Sequence, residues 1–274
     1  MKILITGGRG FLGQHLFPWL KTAGHDCLLF SGDIRSKADV AKFREEKVDI
    51  VIHLAAKVQG KDSRSFYEVN LGGTENILEI CRQIKPRRFI FLSTIRVLSP
   101  KQSPYALSKK AAEAAVIKSG APYIILRPSL LYGQGNKKNL GFFFAAVARW
   151  PIVPIFDFKI QPLFVGDLIE IISRSMDSQI KQVINITGQE TVSLSNILQR
   201  AKLLLNRQTY ILRLPKFLVG FLKLASLCPY FPFPWWQIQP LLSNEILPSD
   251  PWPDLFKIKP TKLDDGLKQT LLNP

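Results

Sequence analysis

Cysteine, methionine and histidine are scarce in this chain: three, two and three residues among 274. Cys27, Cys81 and Cys228 are far apart and odd in number, and no Cys-x-x-Cys occurs. This argues against a disulfide framework and offers no thiol-based metal site, so reduced thiols in a cytoplasmic protein are expected. Long apolar runs are also lacking. No segment has the roughly 18 uninterrupted apolar residues of a membrane span, and no charged-then-apolar leader precedes the first strand-like residues, so no signal peptide is expected. Acidic residues are few: 21 Asp and Glu against 37 Lys and Arg give a net charge of +16. Such a balance suits nucleic acid or anionic lipid. The basic residues are scattered, however, densest at Lys85–Arg88 and Lys137–Lys138, and no nucleic-acid-binding signature accompanies them. We read a solvated basic surface that attracts a polyanionic cofactor or substrate, with no nucleic-acid partner. What the chain has in quantity is hydrophobic residues, 46% of the total. That is enough for a sizeable core, and it excludes wholesale disorder.

The strongest local signal is Lys2–Gly13, KILITGGRGFLG. Ile3–Ile5 read as a buried strand, the chain turns through Thr6–Gly10, and Phe11 opens an apolar-periodic helix through Leu12, Leu16, Trp19 and Leu20. The glycines fit a dinucleotide fingerprint in two registers, Gly8-x-Gly10-x-x-Gly13 and Gly7-x-x-Gly10-x-x-Gly13. The first glycines permit a tight turn, Gly10 lets backbone approach a pyrophosphate, and Gly13 lets the helix pack close on the strand. The helix N-terminus offers N–H groups and a positive dipole end to phosphates.

Strands are expected over Cys27–Phe30, Ile50–Leu54, Phe89–Leu92 and Tyr123–Leu126, alternating with helices over Lys37–Glu46, Phe66–Ile84 and Ser103–Ser119. Strand–helix alternation implies an α/β fold built on a doubly wound parallel sheet. After Pro128 the regularity fades. A polar stretch, Gly133–Leu140, precedes a helix over Gly141–Arg149. A strand over Leu163–Val165, a helix over Asp167–Met176 and a strand over Val183–Ile186 follow, and the proline-rich remainder from Ser193 reads as helical.

Tyr105 and Lys109 lie four apart on one predicted helix and so share a face. A lysine ammonium one turn from a phenol favours the tyrosinate and lowers a pKa that is otherwise near 10. A tyrosine so tuned can exchange a proton with an alcohol or carbonyl oxygen. Ser93 and Thr94 end the fourth strand, at the sheet edge where open α/β sheets bind ligands, and a hydroxyl there can hold the same substrate oxygen. Ala55 and Ala56, after His53, leave room for a flat cofactor or pack a helix. Asn70, inside the long helix, reaches the site or closes a backbone gap.

TGGRGFLG, GDIRS, DIVIHLAA, VNLGGT, FIFLST, SPYALSK and LRPSLLYG occur in an order that resembles the extended short-chain dehydrogenase/reductase family. The nearest branch is the nucleotide-sugar epimerases, dehydratases and 4-ketoreductases. The likeness runs from Met1 to about Gly188, and PTKLDDGLKQTL resembles the family's C-terminal helix. The resemblance implies a Rossmann domain over residues 1–130 plus about 160–187, and a smaller, mostly helical lobe over about 131–159 plus 188–274 that grips a nucleoside diphosphate sugar. It implies Thr94, Tyr105 and Lys109 as a hydroxyl–tyrosine–lysine triad, with Lys109 also on the nicotinamide ribose. Implied cofactor contacts are Gly7, Arg9, Gly10, Phe11, Leu12 and Gly13 in the glycine turn, and Ser31, Asp33 and Ile34 after the second strand. Leu54, Ala55, Ala56, Asn70, Ser93, Pro128, Ser129 and Leu130 complete the set. Two departures stand out. The loop from Thr94 to Tyr105 is shorter than the family's, and Thr94 is followed by Ile95 rather than by an Asp–Glu pair, which makes dehydration the least expected chemistry.

The sequence favours NADP(H) over NAD(H). Ser31 stands where a carboxylate would select the ribose diol, and Arg9 and Arg35 are near enough in sequence to neutralise a 2′-phosphate. Leu214–Trp236, rich in proline and aromatics, reads as a lobe packed on the sheet or on a second subunit in a homodimer. Its alternative is a peripheral patch that adheres to anionic lipid.

Overall fold

The computed structural model describes residues 1–60, 62–177, 182–219 and 245–272. Of the apolar stretch Leu214–Trp236, the part from residue 220 onward lies outside them, as does Cys228. The chain forms two compact units. One comprises Met1–Ser129, Val165–Ile186 and Pro248–Lys259; the other comprises Leu130–Phe164, Thr187–Leu247 and Pro260–Pro274.

The first unit is built on β1 (Lys2–Thr6), β2 (Asp26–Leu29), β3 (Ile50–His53), β4 (Arg88–Leu92), β5 (Tyr123–Pro128) and a sixth strand, Gln182–Ile186. All pair in parallel, in the spatial order sixth strand, β5, β4, β3, β1, β2. Ile3–Ile5, Ile50–Ile52 and Phe89–Phe91 are buried without alternation, as a sheet covered on both faces demands. The chain passes from β1 to β2 on one side and returns to β3 on the other. The loops after β1 and β3 therefore leave the carboxyl edge side by side, at the switch point where such sheets bind ligands.

Helices α1 (Phe11–Thr22), α2 (Lys37–Ala41), α3 (Ser63–Tyr67), α4 (Gly73–Ile84) and α5 (Pro104–Lys118) connect the strands. Helices α4 and α5 pack together, and α1 packs on the helix Val165–Asp177. A core of Leu4, Val51, Ile77, Leu78, Phe89, Phe91, Ala112 and Val116 joins sheet to helices. Two helices depart from the sequence reading. Helix α2 stops at Ala41 rather than Glu46, because Lys42–Lys47 offers the core only Phe43, which rests on Phe30. The helix expected over Phe66–Ile84 starts earlier, at Ser63 with Asp62 as its cap, and is interrupted by a π-helical turn at Glu68–Gly72.

The second unit has its own core, among it Tyr132, Leu140, Phe144, Val147, Ile155, Leu194, Leu198 and Leu267. Helices Leu140–Arg149, Leu194–Leu204 and Leu263–Leu271 enclose it. Beside these helices, among the described residues, strands of two to four residues form three two-stranded sheets: Leu131–Tyr132 with Leu163–Phe164, Ile152–Ile155 with Tyr210–Arg213, and Lys159–Ile160 with Val192–Ser193. Strands this short carry no readable period in sequence.

Candidate active site

The glycine turn is closed by its own backbone, with Gly10 N–H donating to Gly7 O at 2.9 Å. Gly7 has φ +71, and a Cβ there would fall 2.6 Å from Ala55 N. This crowding fixes the turn directly against the loop after β3. A Cβ on Gly13 would lie 2.5 Å from Gly8 Cα, so Gly13 is what lets α1 seat on the turn. Gly10 differs: it is in ordinary extended backbone, and a Cβ would meet only Gly7 O, at 3.2 Å. The space above it is open, and the first turn of α1, through Phe11 and Leu12, has no side-chain cap at Gly10.

Behind the turn lies a buried relay. Ala55 N–H donates to Thr6 Oγ1 (3.2 Å), Thr6 Oγ1 meets His53 Nδ1 (2.7 Å), His53 Nε2 meets Thr74 Oγ1 (3.0 Å), and Thr74 Oγ1 donates to Asn70 O (2.6 Å). The last hydroxyl proton is committed to a carbonyl, so His53 carries its proton on Nε2 and accepts from Thr6 on Nδ1. Burial, with a smaller push from Lys109, holds the imidazole neutral and pulls its pKa down to about 3.

Asn70 sits in the π-helical turn and is fully buried. Its side chain accepts from Lys57 N–H (2.7 Å) and donates to Lys57 O (3.0 Å) and Ser108 Oγ (2.8 Å). Of the two roles open to it, it takes the second: it satisfies the irregular backbone after Ala56.

The Thr94 hydroxyl lies close enough to the Tyr105 phenol to pull its pKa down. Thr94 also begins the 3₁₀ turn Ile95–Leu98, and its Oγ1 accepts from Arg96 N–H at 3.3 Å. Tyr105 opens α5 behind a Pro104 and a Ser103 cap. Lys109, one turn on, is buried, its Nζ 3.9 Å from the centre of the Phe91 ring and without a hydrogen-bond partner. The electrostatics reverse the sequence expectation. Burial pushes the Tyr105 phenol up to about 12, against the smaller downward pull of Thr94. Burial likewise brings Lys109 down to about 7, against the opposing charge of Glu113. Desolvation disfavours both charged forms, and it outweighs the mutual stabilisation that spacing alone suggests.

The remaining sites are distributed as follows. Ser93 immediately follows β4, but its hydroxyl donates to Glu113 Oε1, which leaves Thr94 as the strand-end hydroxyl beside Tyr105. Ser31 and Arg9 are exposed at the ends of β2 and of the glycine turn. Arg35 is committed to Asp33 in a bidentate pair (Nε 3.0 and 2.9 Å, Nη2 2.6 Å) rather than left for a phosphate, and it lowers that carboxyl's pKa. Ile34 lies where a Cβ on Gly73 would fall, 2.5 Å from Ile34 Cδ1. Pro128 ends β5, and Ser129 N–H donates to Ile186 O. Leu130 begins the second unit and rests on that unit's core. The sequence reading missed Glu113 and Arg127. Glu113 is buried and accepts from Arg127 Nε at 2.9 Å and Nη2 at 2.5 Å. Its signal was available: a glutamate one turn beyond Lys109 on the buried face of α5.

The model of the NAD dependent epimerase/dehydratase family matches residues 3–187. The UDP-glucose 4-epimerase of Vibrio cholerae is 26% identical over 259 residues, covering 78% of this chain and 79% of that one. The ceramide reductase of Caulobacter vibrioides is 29% identical over 171 residues, covering 56% of this chain and 53% of that protein. With that reductase and several other curated relatives, the match spans about half of their length. Among solved structures, the UDP-glucose 4-epimerase of Thermotoga maritima with UDP-glucose superposes with TM-score 0.82 at 19% identity, over 99% of this chain and 98% of that one. The dTDP-4-dehydrorhamnose reductase of Bacillus anthracis with NADP gives 0.80 at 17% identity, over 100% and 99%. The chain belongs to the NAD dependent epimerase/dehydratase family, within the extended short-chain dehydrogenases/reductases.

Proposed function

We propose that the protein is an NAD(P)-dependent oxidoreductase that reduces or epimerises C4 of a nucleotide sugar, with Tyr105 as its acid–base. The observation that carries this is the buried, unpartnered Lys109 Nζ one helical turn from Tyr105, with the Thr94 hydroxyl acting on the Tyr105 phenol. A dinucleotide fits the residues present. Gly10 leaves open space over a helix N-terminus, and Lys109 has a donor unspent in the apolar surroundings of Phe91. The glycine turn would hold the pyrophosphate, Lys109 the nicotinamide ribose, and Leu54, Ala55, Ala56, Pro128 and Ser129 the flanks. When bound, the cofactor supplies or accepts hydride at the carbinol carbon. The chain moves the proton. Thr94 and Tyr105 grip the substrate oxygen, and Tyr105 gives its proton to a ketone or takes one from an alcohol. The first unit is then the cofactor domain and the second the substrate lobe. NADP(H) is the favoured cofactor: Ser31 brings no charge against a 2′-phosphate, and Arg9 in the glycine turn is exposed, whereas Arg35 is occupied by Asp33.

A second reading, reduction of an apolar ketone, draws on the exposed apolar face of Ile152, Tyr210 and Leu212 in the second unit. Relatives named ceramide reductase and 2-alkyl-3-oxoalkanoate reductase are consistent with it. The test offers the purified protein NADPH with a nucleoside diphosphate 4-keto sugar, then an oxidised nicotinamide (NAD⁺ or NADP⁺) with UDP-glucose, then NADPH with a long-chain β-keto acid. NADPH oxidation with the keto sugar supports the reductase. Sugar interconversion without net change in the nicotinamide supports the epimerase. Oxidation only with the keto acid supports the second reading. Cofactor binding with turnover of none of them overturns both and favours a non-enzymatic NADP(H)-binding subunit or assembly factor.

A further inference from the structure

We propose that Glu113, outside the Thr94–Tyr105–Lys109 triad, is a positioning residue: clamped by Ser93 and Arg127, its carboxylate sets a negative charge one helical turn from Lys109 and ties the strand end bearing Thr94 to the helix bearing Tyr105. Helix α5 carries Tyr105, Lys109 and Glu113 at successive turns, so the three lie along one face. Glu113 is 3% exposed and accepts three hydrogen bonds, one from Ser93 Oγ and two from the Arg127 guanidinium. Ser93 immediately precedes Thr94 just after β4, and Arg127 lies on β5, so one carboxylate fastens two strand ends to the catalytic helix. Arg127 is held in turn by Asn185 Oδ1 at 3.4 Å on the sixth strand.

The charge is as useful as the clamp. Lys109 is wrapped in apolar and neutral groups: the Phe91 ring on β4 and the neutral His53 on β3. The other charged side chains on elements packed against α5 are Arg127 on β5, Arg96 in the 3₁₀ turn, Arg64 and Glu68, which pair with each other at the surface, and on α4 the exposed Glu75 and the Glu79–Arg82 pair. Glu113 is the anion that acts on Lys109, and it opposes the desolvation of the ammonium.

The experiment separates this proposal from the functional reading on which its catalytic consequence rests. Lysine is labelled with ¹³C at Cε, the Lys109 resonance is assigned with Lys109→Met, and its titration is followed in the protein without added nucleotide. Glu113→Gln keeps the shape and one oxygen to accept from Ser93 Oγ and Arg127 Nε, while it removes the charge and the acceptor of Arg127 Nη2. It should lower the Lys109 midpoint by about two pH units, the scale of one charge about 6 Å away at an effective dielectric of about 20. Arg127→Gln removes the opposing cation and should move the midpoint the other way. A purely structural role predicts no such opposite pair of shifts. An unchanged midpoint in Glu113→Gln overturns the proposal, as do shifts of the same sign in both variants. If Glu113→Gln does not fold, Arg127→Gln alone decides by the sign of its shift. NADPH titrations of the same variants across pH then address the functional reading: a failure there with the midpoint shifts present leaves Glu113 in place and removes Lys109 from the cofactor.

Discussion

Gly10→Ala and Gly13→Ala add the same methyl group three residues apart, and the geometry gives them different fates. At Gly13 the methyl would stand 2.5 Å from Gly8 Cα and from Gly8 O, and 2.6 Å from Gly7 O. These are backbone atoms of a turn that is itself jammed against Ala55, so nothing can step aside. Overpacking of this kind costs about 1–3 kcal/mol and here should reach the upper end. For a unit of this size that is a fall of roughly 6–12 °C in melting temperature. At Gly10 the backbone is extended (φ −76, ψ 170), and the methyl would meet one oxygen at 3.2 Å. The fold should lose about 1 kcal/mol, for exchanging glycine for alanine at a helix N-cap. The methyl would occupy the volume through which a pyrophosphate reaches the first-turn N–H groups of α1. Losing that helix-end interaction costs up to about 2 kcal/mol, or roughly 30-fold in Kd. Thermal unfolding without nucleotide and fluorescence titration with NADPH read the two quantities separately. Gly10→Ala should melt close to wild type and bind far more weakly. If it binds NADPH within about threefold of wild type, the pyrophosphate does not cross Gly10, and the assignment of the turn is wrong.

Tyr105→Phe should lower kcat by about 10²–10⁴ on whichever substrate is turned over while leaving NADPH affinity nearly intact, as steady-state kinetics beside a binding titration would report. Ser31→Asp should weaken NADPH and leave NADH nearly unchanged; a wild-type protein that already binds NADH at least about tenfold more tightly than NADPH defeats the reasoning from Ser31. His53 has its folded pKa depressed to about 3 from an ordinary 6.5. Between those values the unfolded chain binds the extra proton, so the relay's stabilisation is complete above about pH 6.5 and declines as pH falls toward 3. Denaturant midpoints at about pH 7.5 and pH 5 should differ more in wild type than in His53→Asn, and equal differences would remove His53 as the cause.

The strand–turn–helix at Lys2–Gly13 and the alternation through Tyr123 were legible because each element there carries a strong period or a glycine with a steric reason. Tyr105 and Lys109 were legible because helical spacing puts i and i+4 on one face. The π-helical turn at Glu68–Gly72 was not. The apolar pattern runs straight through it, and the reason for the extra residue, Asn70 reaching the Lys57 backbone, is a contact 13 residues away. Glu113 and Arg127 were passed over for a related reason: in sequence each is one more charge in a basic chain, and only pairing across α5 and β5 reveals a buried clamp. The electrostatics of the triad were misjudged in sign because spacing reports proximity but not solvent, and desolvation was the larger effect at both Tyr105 and Lys109.

That reversal bears on the direction of the chemistry. A phenol raised to about 12 is protonated at neutral pH, and it already holds the proton that a ketone oxygen needs during reduction. Oxidation of an alcohol, the first half of an epimerisation, asks the same residue to begin as tyrosinate, the form that its surroundings disfavour. A positive charge close by would relieve this, and Lys109 is the group placed to supply it, yet burial brings Lys109 to about 7, where the charge is only partly present. Glu113 pushes it back toward the ammonium. In the role proposed for Tyr105, the site as folded would favour protonating a carbonyl over deprotonating an alcohol. How far it can also run as a base depends on a buried carboxylate two helical turns from Tyr105.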